Sequence, residues 1–298
     1  MTITAPPAVP VGAGPARSRT RPPRRGARAV LMAAAGAVIG LLFLAPYVVM
    51  VIGSFKPRAE ILRVPPTYFP EQWRPDNYVT LWSTPETPLP LNLISTLVIS
   101  VCATLLVLAV ATPAAYYTAR HRFPGRSVFL LAVLATQMLQ PTVLAAGLFR
   151  EFVVLGLNDT WFAMILVNAA FNLSFAVWIM HSFFAGIPLE LEEAAALDGA
   201  SRLQTLRRIT LPLVWPGIVT AIIFTFVACW NEFAASLVIL STAANQPLSV
   251  ALTKFIGQYD SAWQYVFAIS VVAIVPVVLL FALIERRLVG GLTAGSIK

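Results

Sequence analysis

Long apolar stretches separated by short polar segments dominate the hydrophobic pattern of this chain. A helix needs about 20 apolar residues to cross a bilayer, and six stretches reach that length. Backbone groups in lipid must be paired within their own segment, so continuous apolar runs are expected to be helical. The predicted fold is therefore all-α, a polytopic membrane protein with six transmembrane helices. The predicted spans are residues 29–53, 92–119, 127–149, 161–184, 215–240 and 265–288.

Composition supports a membrane protein and divides the chain in two. Of 298 residues, 58% are hydrophobic and 11% are charged, whereas soluble domains carry about 25% charged residues. Residues 1–28 are rich in Pro, Ala and Arg, contain no acidic residue, and are predicted to be a disordered tail. The apolar run that follows is longer than the roughly 7–15 residues of a signal peptide. We therefore expect residues 29–298 to form one transmembrane domain.

The distribution of basic residues predicts the orientation of the spans. With a cytoplasmic N-terminus, 15 of the 21 Lys and Arg residues lie on the inside and 6 on the outside, in agreement with the positive-inside rule. Both termini and the loop of residues 186–214 are then cytoplasmic. The loop of residues 54–91 is outside and is expected to be irregular with one short helix. The net charge of +8 does not indicate nucleic acid binding, because its excess lies in the tail and short loops.

The loop of residues 186–214 contains the most informative motif, which reads EAAALDGASRLQTLRRITLP from residue 193 to residue 212. Gly199 is suited to a left-handed or close-approach position that ends a short helix. Ser201 can cap a second helix, and Leu211–Pro212 is expected to stop it. The motif predicts two short helices joined by a turn at Gly199.

The spacing of this motif resembles the coupling loop of permease subunits in bacterial ABC importers. It has E-A-A, three residues, Gly, nine residues and then I-x-L-P. Three further segments resemble carbohydrate-uptake permeases, most of all the second permease subunit of maltose-type importers. They are residues 123–126 (FPGR), 230–233 (WNEF) and 287–295 (RLVGGLTAG). The resemblance covers roughly residues 30–298.

The resemblance implies that the loop docks onto a separate ATP-hydrolysing subunit. The chain has no G-x-x-x-x-G-K-[ST] loop, so we expect a non-catalytic subunit that binds no cofactor, with ATP and Mg²⁺ used by the partner. A small Ala-Ala face permits close approach, and a flanking carboxylate can reach a basic partner. The expected coupling residues are Glu190, Glu193, Ala194, Ala195, Asp198 and Gly199.

Polar residues within the spans are the candidates for a solute pathway. Glu232 is the only acid deep in an apolar run, where a charge costs roughly 2.5–3.5 kcal/mol. It either lines the pathway or braces a neighbouring helix. Amides suit sugar hydroxyls but also join helices. The candidate set is Asn231, Glu232, Asn168, Asn172, Gln137 and Gln140. No metal site is expected, because neither histidine has a second ligand at a suitable spacing.

The resemblance further implies an importer for a di- or oligosaccharide or a sugar derivative, in the cytoplasmic membrane of a bacterium. Its expected partners are a second homologous permease, a pair of cytoplasmic ATPase subunits, an extracytoplasmic substrate-binding lipoprotein and membrane lipid. In the family, the outside loop between the last two spans contacts the binding protein. That loop is residues 241–264 here, and Gln246, Gln258 and Tyr259 are the candidate contacts.

Two alternatives remain open at this point. An importer for glycerol phosphate or a polyamine would share the coupling loop. A phosphate-bearing solute favours basic residues within the spans, and the middle of each span has none, although a partner permease could supply them. A membrane-embedded enzyme would need clustered ionisable residues near one membrane face, whereas Glu232 stands alone.

The orientation can be tested with single cysteines. In a variant without Cys102 and Cys229, a cysteine at Ser83 should react with a membrane-impermeant thiol reagent added to intact cells. A cysteine at Ser201 should react only after the cells are permeabilised, because its loop is expected in the cytoplasm. Labelling at Ser201 in intact cells would reverse the topology.

Overall fold

The computed structural model describes residues 26–84, 87–139, 141–257 and 260–293. The chain divides into two compact units, Met1–Tyr47 and Val48–Lys298. Most of the predicted tail and the last five residues of the chain lie outside the described residues, and the first described helix already begins at Ala27.

The described elements are helical, and the prediction of an all-α polytopic membrane protein is confirmed. Among the described residues, five helices are long and apolar enough to cross a membrane, and a bent pair makes a sixth span if it is counted as one. The α-helices are α1 (Ala27–Ser54), α2 (Arg58–Ile61), α3 (Asp76–Ser83), α4 (Leu89–Arg120), α5 (Arg126–Thr136), α6 (Pro141–Val154), α7 (Trp161–Ala185), α8 (Glu190–Leu197), α9 (Arg202–Thr205), α10 (Leu211–Trp230), α11 (Ala234–Ile239), α12 (Leu248–Ala251) and α13 (Trp263–Thr293).

The third span differs from its prediction as one helix over residues 127–149. It consists of α5 and α6, which meet at an angle of 89°. Pro141 begins α6, a position where its missing N–H leaves no helical hydrogen bond unmade. The apolar run alone did not reveal the bend, because both arms are equally hydrophobic.

The fifth span ends ten residues earlier than predicted, at Trp230 rather than residue 240. After a short break, α11 continues the chain in a separate helix. The prediction that Leu211–Pro212 stops the second loop helix was also wrong. A π-helical turn over Leu206–Thr210 joins α9 to α10, and the Leu211 N–H bonds to the Leu206 carbonyl. This wider turn precedes Pro212, which has no N–H to lose at the start of a helix.

The loop of residues 54–91 contains two short helices, α2 and α3, rather than one. Part of its interior is polar. The buried carboxylate of Glu60 accepts hydrogen bonds from the Thr67 hydroxyl at 2.6 Å and the Glu71 N–H at 3.0 Å, and Lys56 lies 3.7 Å away. These bonds order the part of the loop around α2, whereas Leu81 of α3 is buried in an apolar cluster.

The core lies between α4, α7 and α10. Small buried side chains on facing helices, including Ala111, Ala115, Ala176 and Ala221, allow the backbones to approach closely, as in other membrane helix bundles. Two further apolar clusters lie toward the opposite end from α8. One joins α4 and α7 to α6 and α11, and the other joins α10 and α13 to α3. The three central helices therefore form the rigid part on which the functional residues sit.

Candidate functional site

The turn between α8 and α9 has the predicted left-handed glycine. Gly199 adopts φ +81°, and its N–H bonds to the Ala196 carbonyl at 3.1 Å while the Ala200 N–H bonds to the Ala195 carbonyl at 3.0 Å. This is the Schellman arrangement that ends a helix. Ser201 then begins α9 with a capping box, in which its side chain and that of Gln204 bond each other's backbone N–H groups.

The predicted coupling residues divide between the surface and the interior. Glu190, Glu193, Ala194, Asp198 and Gly199 are exposed, whereas Ala195 is buried at 6% exposure. Of the two alanines that were expected to form the contact face, only Ala194 is exposed. Successive helical residues point about 100° apart, so neighbouring alanines cannot share one face.

Sequence reasoning missed Glu192, the residue whose hydrogen bonds join α8 to the helix bundle. The Glu192 carboxylate accepts a hydrogen bond from Arg120 Nε at 2.8 Å, from the Tyr116 hydroxyl at 2.9 Å and from the Thr210 hydroxyl at 3.1 Å. Glu192 lies among four acids in nine residues, a pattern that also suits a helix dipole. No local signal pairs it with an arginine 72 residues away.

A cavity of about 190 Å³ brings together four of the six candidate pathway residues, Gln137, Asn168, Asn172 and Glu232. Its wall also includes Pro141 at the start of α6 and Ala228 near the end of α10. Asn231 is exposed and donates to the Val227 carbonyl of its own helix at 2.8 Å, and it does not line this cavity. Gln140 lies outside the described residues.

The two asparagines stack along one face of α7, as their spacing of four residues predicts. Asn168 donates to the Met164 carbonyl at 3.0 Å, and Asn172 donates to the Asn168 carbonyl at 2.8 Å. Both of these bonds lie within α7. The Asn172 amide also donates to Cys229 Sγ on α10 at 3.6 Å, so it joins the two helices, and both asparagines line the cavity.

Glu232 both lines the cavity and braces a helix. Its carboxylate accepts hydrogen bonds from the Ala235 N–H at 2.7 Å and the Ser236 N–H at 3.0 Å, and from the Ser236 hydroxyl at 2.5 Å. It thus caps the N-terminus of α11, where a negative charge is favourable. The brace is therefore present, and the same carboxylate lies in the wall of the cavity.

At the opposite end from α8, the segment of residues 241–247 is held by side chains of other elements. Asp159 has φ +56°, and its carboxylate accepts hydrogen bonds from the Ser241 N–H at 2.9 Å, the Thr242 N–H at 3.0 Å and the Thr242 hydroxyl. Partial burial alone would raise the pKa of this carboxyl. The hydrogen bonds from Thr242 and Ser241 outweigh it and hold the pKa below its ordinary value.

Gln246 lies inside this segment rather than on its surface. It is 9% exposed, and its amide donates to the Leu240 carbonyl at 3.0 Å. As placed, it stabilises the loop and is not available as the surface contact expected from the sequence. A polar side chain in a turn can satisfy its own backbone instead of facing solvent. Gln258 and Tyr259 lie outside the described residues.

Within the described ranges, no group of three or more His, Cys, Asp and Glu side chains is placed to hold a metal ion. The chemistry that the arrangement offers is hydrogen bonding from amides and one carboxylate inside the bundle, and charge on the exposed face of α8.

Comparison with known proteins identifies the sequences and folds that this chain resembles. A family profile described as "Binding-protein-dependent transport system inner membrane component" matches residues 111–292. The inner membrane ABC transporter permease protein YcjP of Escherichia coli is 34% identical over 258 residues, which cover 87% of this chain and 92% of that protein. The trehalose/maltose transport system permease protein MalG of Thermococcus litoralis is 30% identical over 270 residues, covering 90% and 96%.

A solved structure has the same fold. A chain of a bacterial ABC transporter involved in the import of the acidic polysaccharide alginate superposes with a TM-score of 0.72 at 23% identity, covering 86% of this chain and 95% of that one.

The capping role of Glu232 predicts a stability effect. Glu232→Ala removes three hydrogen bonds at the start of α11 and should destabilise the protein by about 1–2 kcal/mol, measured as a lower unfolding temperature in detergent. Ser236→Ala removes one of the three bonds and should have a smaller effect. An unchanged unfolding temperature for Glu232→Ala would show that α11 does not depend on this carboxylate.

Proposed function

The chain belongs to the family of binding-protein-dependent transport system inner membrane components, and from this premise we propose that it forms half of the pathway of an ATP-driven sugar importer. The resemblance inferred from the loop of residues 186–214 and the three shorter motifs is thereby confirmed at the level of the family. The protein is embedded in the membrane. Its solute, partners and orientation are the content of the proposal.

The observation that carries the proposal is the composition of the cavity. Three amide side chains and one carboxylate line it, and the lining residues that the structure describes include no Lys or Arg. Amides donate to and accept from hydroxyl groups, which suits a neutral polyhydroxylated solute. The wall is built where membrane helices are interrupted, as in other transporters whose binding sites form at broken helices.

The names of the relatives agree with a sugar solute. The permease of Thermococcus litoralis belongs to a trehalose/maltose system. We therefore place a neutral di- or oligosaccharide in the pathway. A solute bearing phosphate would need a cation that the described lining lacks, and a polyamine would have to be bound by Glu232, whose two oxygens are already engaged by α11.

The exposed face of α8 supplies the proposed contact with a cytoplasmic ATPase subunit. This face is acidic because of Glu190, Glu193 and Asp198. It allows close approach because Ala194 and Gly199 have little or no side chain. Closure of a pair of ATPase subunits, using ATP and Mg²⁺, would move α8 and open the cavity alternately to the two sides. A second homologous permease would complete the pathway.

The opposite end is the proposed docking side for an extracytoplasmic binding protein. The Asp159 carboxylate accepts hydrogen bonds from the N–H groups of residues 241 and 242, and Asn92 donates to the Ala243 carbonyl at 2.7 Å. These bonds hold the loop between α11 and α12 in one conformation. An ordered loop loses less entropy when it binds. Gln258 and Tyr259 remain proposed contacts, while the burial of Gln246 argues for a supporting role.

The coupling function predicts that the Gly199 turn is required for ATPase attachment. Gly199→Val forces a β-branched residue into a left-handed conformation, at a cost of about 1–3 kcal/mol, and raises a side chain on the docking face. Glu193→Lys reverses the charge of that face. Both variants should lose sugar uptake and recover less ATPase subunit when the complex is purified in detergent.

Gly156→Val is the matched control. Gly156 also has a left-handed backbone, φ +68°, with open space around its Cα, but it lies in the turn after α6, away from α8. The Gly156→Val variant should recover the same amount of ATPase subunit as the unmodified protein. Full uptake and full ATPase recovery in Gly199→Val and Glu193→Lys would refute the coupling assignment.

The sugar assignment predicts the outcome of an uptake panel. Membrane vesicles that carry the complete transporter with its binding protein should accumulate at least one neutral probe among maltose, trehalose and diacetylchitobiose, and should not accumulate glycerol 3-phosphate or spermidine. Gln137→Leu, which removes an exposed amide from the cavity wall, should raise the KM of that uptake. Transport of only the phosphate or the polyamine would replace the sugar with the corresponding alternative.

A further inference from the structure

We propose that Glu192 and Arg120 act as a positioning pair, through which movement of α8 is transmitted to α4 and from there to the helices around the cavity. This inference rests on the proposed function, because it needs an ATPase subunit that moves α8. It assigns a function to two residues that lie outside the exposed coupling face.

The two side chains are largely buried, and they are joined by a hydrogen bond of defined geometry. Arg120 Nε donates to a Glu192 carboxylate oxygen at 2.8 Å, and the two side chains are 8% and 12% exposed. Arg120 also donates to the Ile187 carbonyl at 3.0 Å, so it holds both the first turn of α8 and the segment that leads into it. A charge pair removed from water is far less screened than a surface pair.

Glu192 connects three elements at one point. Its carboxylate bonds Arg120 and Tyr116 at the end of α4 and Thr210 in the π-helical turn before α10. Glu193, the next residue, is exposed. Adjacent helical residues point in different directions, so Glu192 bonds to the bundle while Glu190 and Glu193 remain exposed on α8 for an external partner.

Packed helices connect the Glu192–Arg120 pair to the wall of the cavity. The buried face of α4 includes Ala103, Ala111 and Ala115, and it packs against α7 and α10 in the central core. α7 carries Asn168 and Asn172, and α10 carries Ala228, all of which line the cavity. Because these contacts are close-packed, a displacement of the end of α4 is not absorbed locally.

The guanidinium is incompletely satisfied in this arrangement. Its terminal nitrogen Nη2 is buried and has no acceptor among the residues that the structure describes. Unpaired buried donors are unfavourable, so an acceptor brought within reach by a movement of α8 would strengthen the pair.

The experiment compares uptake with ATP hydrolysis in reconstituted transporters. Glu192→Gln, Arg120→Gln, the double variant and Arg120→Lys are purified with the ATPase subunits and placed in vesicles with the binding protein and the neutral disaccharide that the panel identifies. Arg120→Lys keeps the charge and so protects folding, but an ammonium cannot reproduce the fork that reaches Glu192 and Ile187 together. An exposed pair, Arg63 and Glu71 at 2.8 Å, provides the control variant Glu71→Gln.

We expect ATPase recovery and hydrolysis to persist, while sugar transported per ATP falls about tenfold in Glu192→Gln and Arg120→Gln. Arg120→Lys should lie in between, and the double variant should be no worse than the worse single one, as for two residues that act as a unit. Glu71→Gln should not differ from the unmodified protein.

Normal transport per ATP in Glu192→Gln, or losses that simply add in the double variant, would overturn the inference. So would a loss of assembled complex with an unchanged ratio in Arg120→Lys, since that marks a purely structural pair. These outcomes are separable from failure of the proposed function. If Glu193→Lys detaches the ATPase while Glu192→Gln couples normally, only the positioning pair is wrong.

Discussion

Peptide groups inside a membrane must find hydrogen-bond partners within the protein, because lipid supplies none, and this requirement governs where the bundle can interrupt its helices. The break after α10 meets it with side chains. The Glu232 carboxylate takes the N–H groups of Ala235 and Ser236, and the Ser249 hydroxyl donates to the Glu232 carbonyl at 2.7 Å. A polar cavity can lie beside this break because its backbone is already satisfied.

The same requirement explains why the cavity is polar and the core is not. α4, α7 and α10 are uninterrupted where they pack through small apolar residues. The cavity lies instead where α5 meets α6 and where α10 ends. A solute with many hydroxyl groups can replace water in such a site, whereas the close-packed core would exclude it. The close-packed helices thus support the structure, and the polar cavity forms where helices are interrupted.

The loop that contains α8 is exposed on one side and contacts the helix bundle on the other. The Gly199 turn reverses the chain, and the continuous run from α9 through the π-helical turn into α10 ties the turn directly to a core helix. Glu192 adds a second connection, to α4. The loop is therefore connected to two of the three core helices, to α10 through the helical run and to α4 through Glu192.

Sequence reasoning succeeded where the controlling interactions are local. Span existence follows from continuous hydropathy, the left-handed Gly199 from its missing Cβ, and the cap at Ser201 from its side-chain hydroxyl. The grouping of Asn168 with Asn172 follows from helical periodicity. It failed at the bend before Pro141 and at the end of α10, because the residues on both sides are equally apolar and hydropathy does not report direction.

By itself, then, the sequence determined which segments are apolar enough to form membrane-spanning helices and where the α8–α9 turn bends. Only the tertiary structure decided which of them meet. The burial of Ala195 and Gln246, the cavity shared by Gln137 and Glu232, and the pairing of Arg120 with Glu192 all depend on how separate helices pack. Those contacts join residues far apart along the chain, and no local pattern of residue types encodes the distance between them.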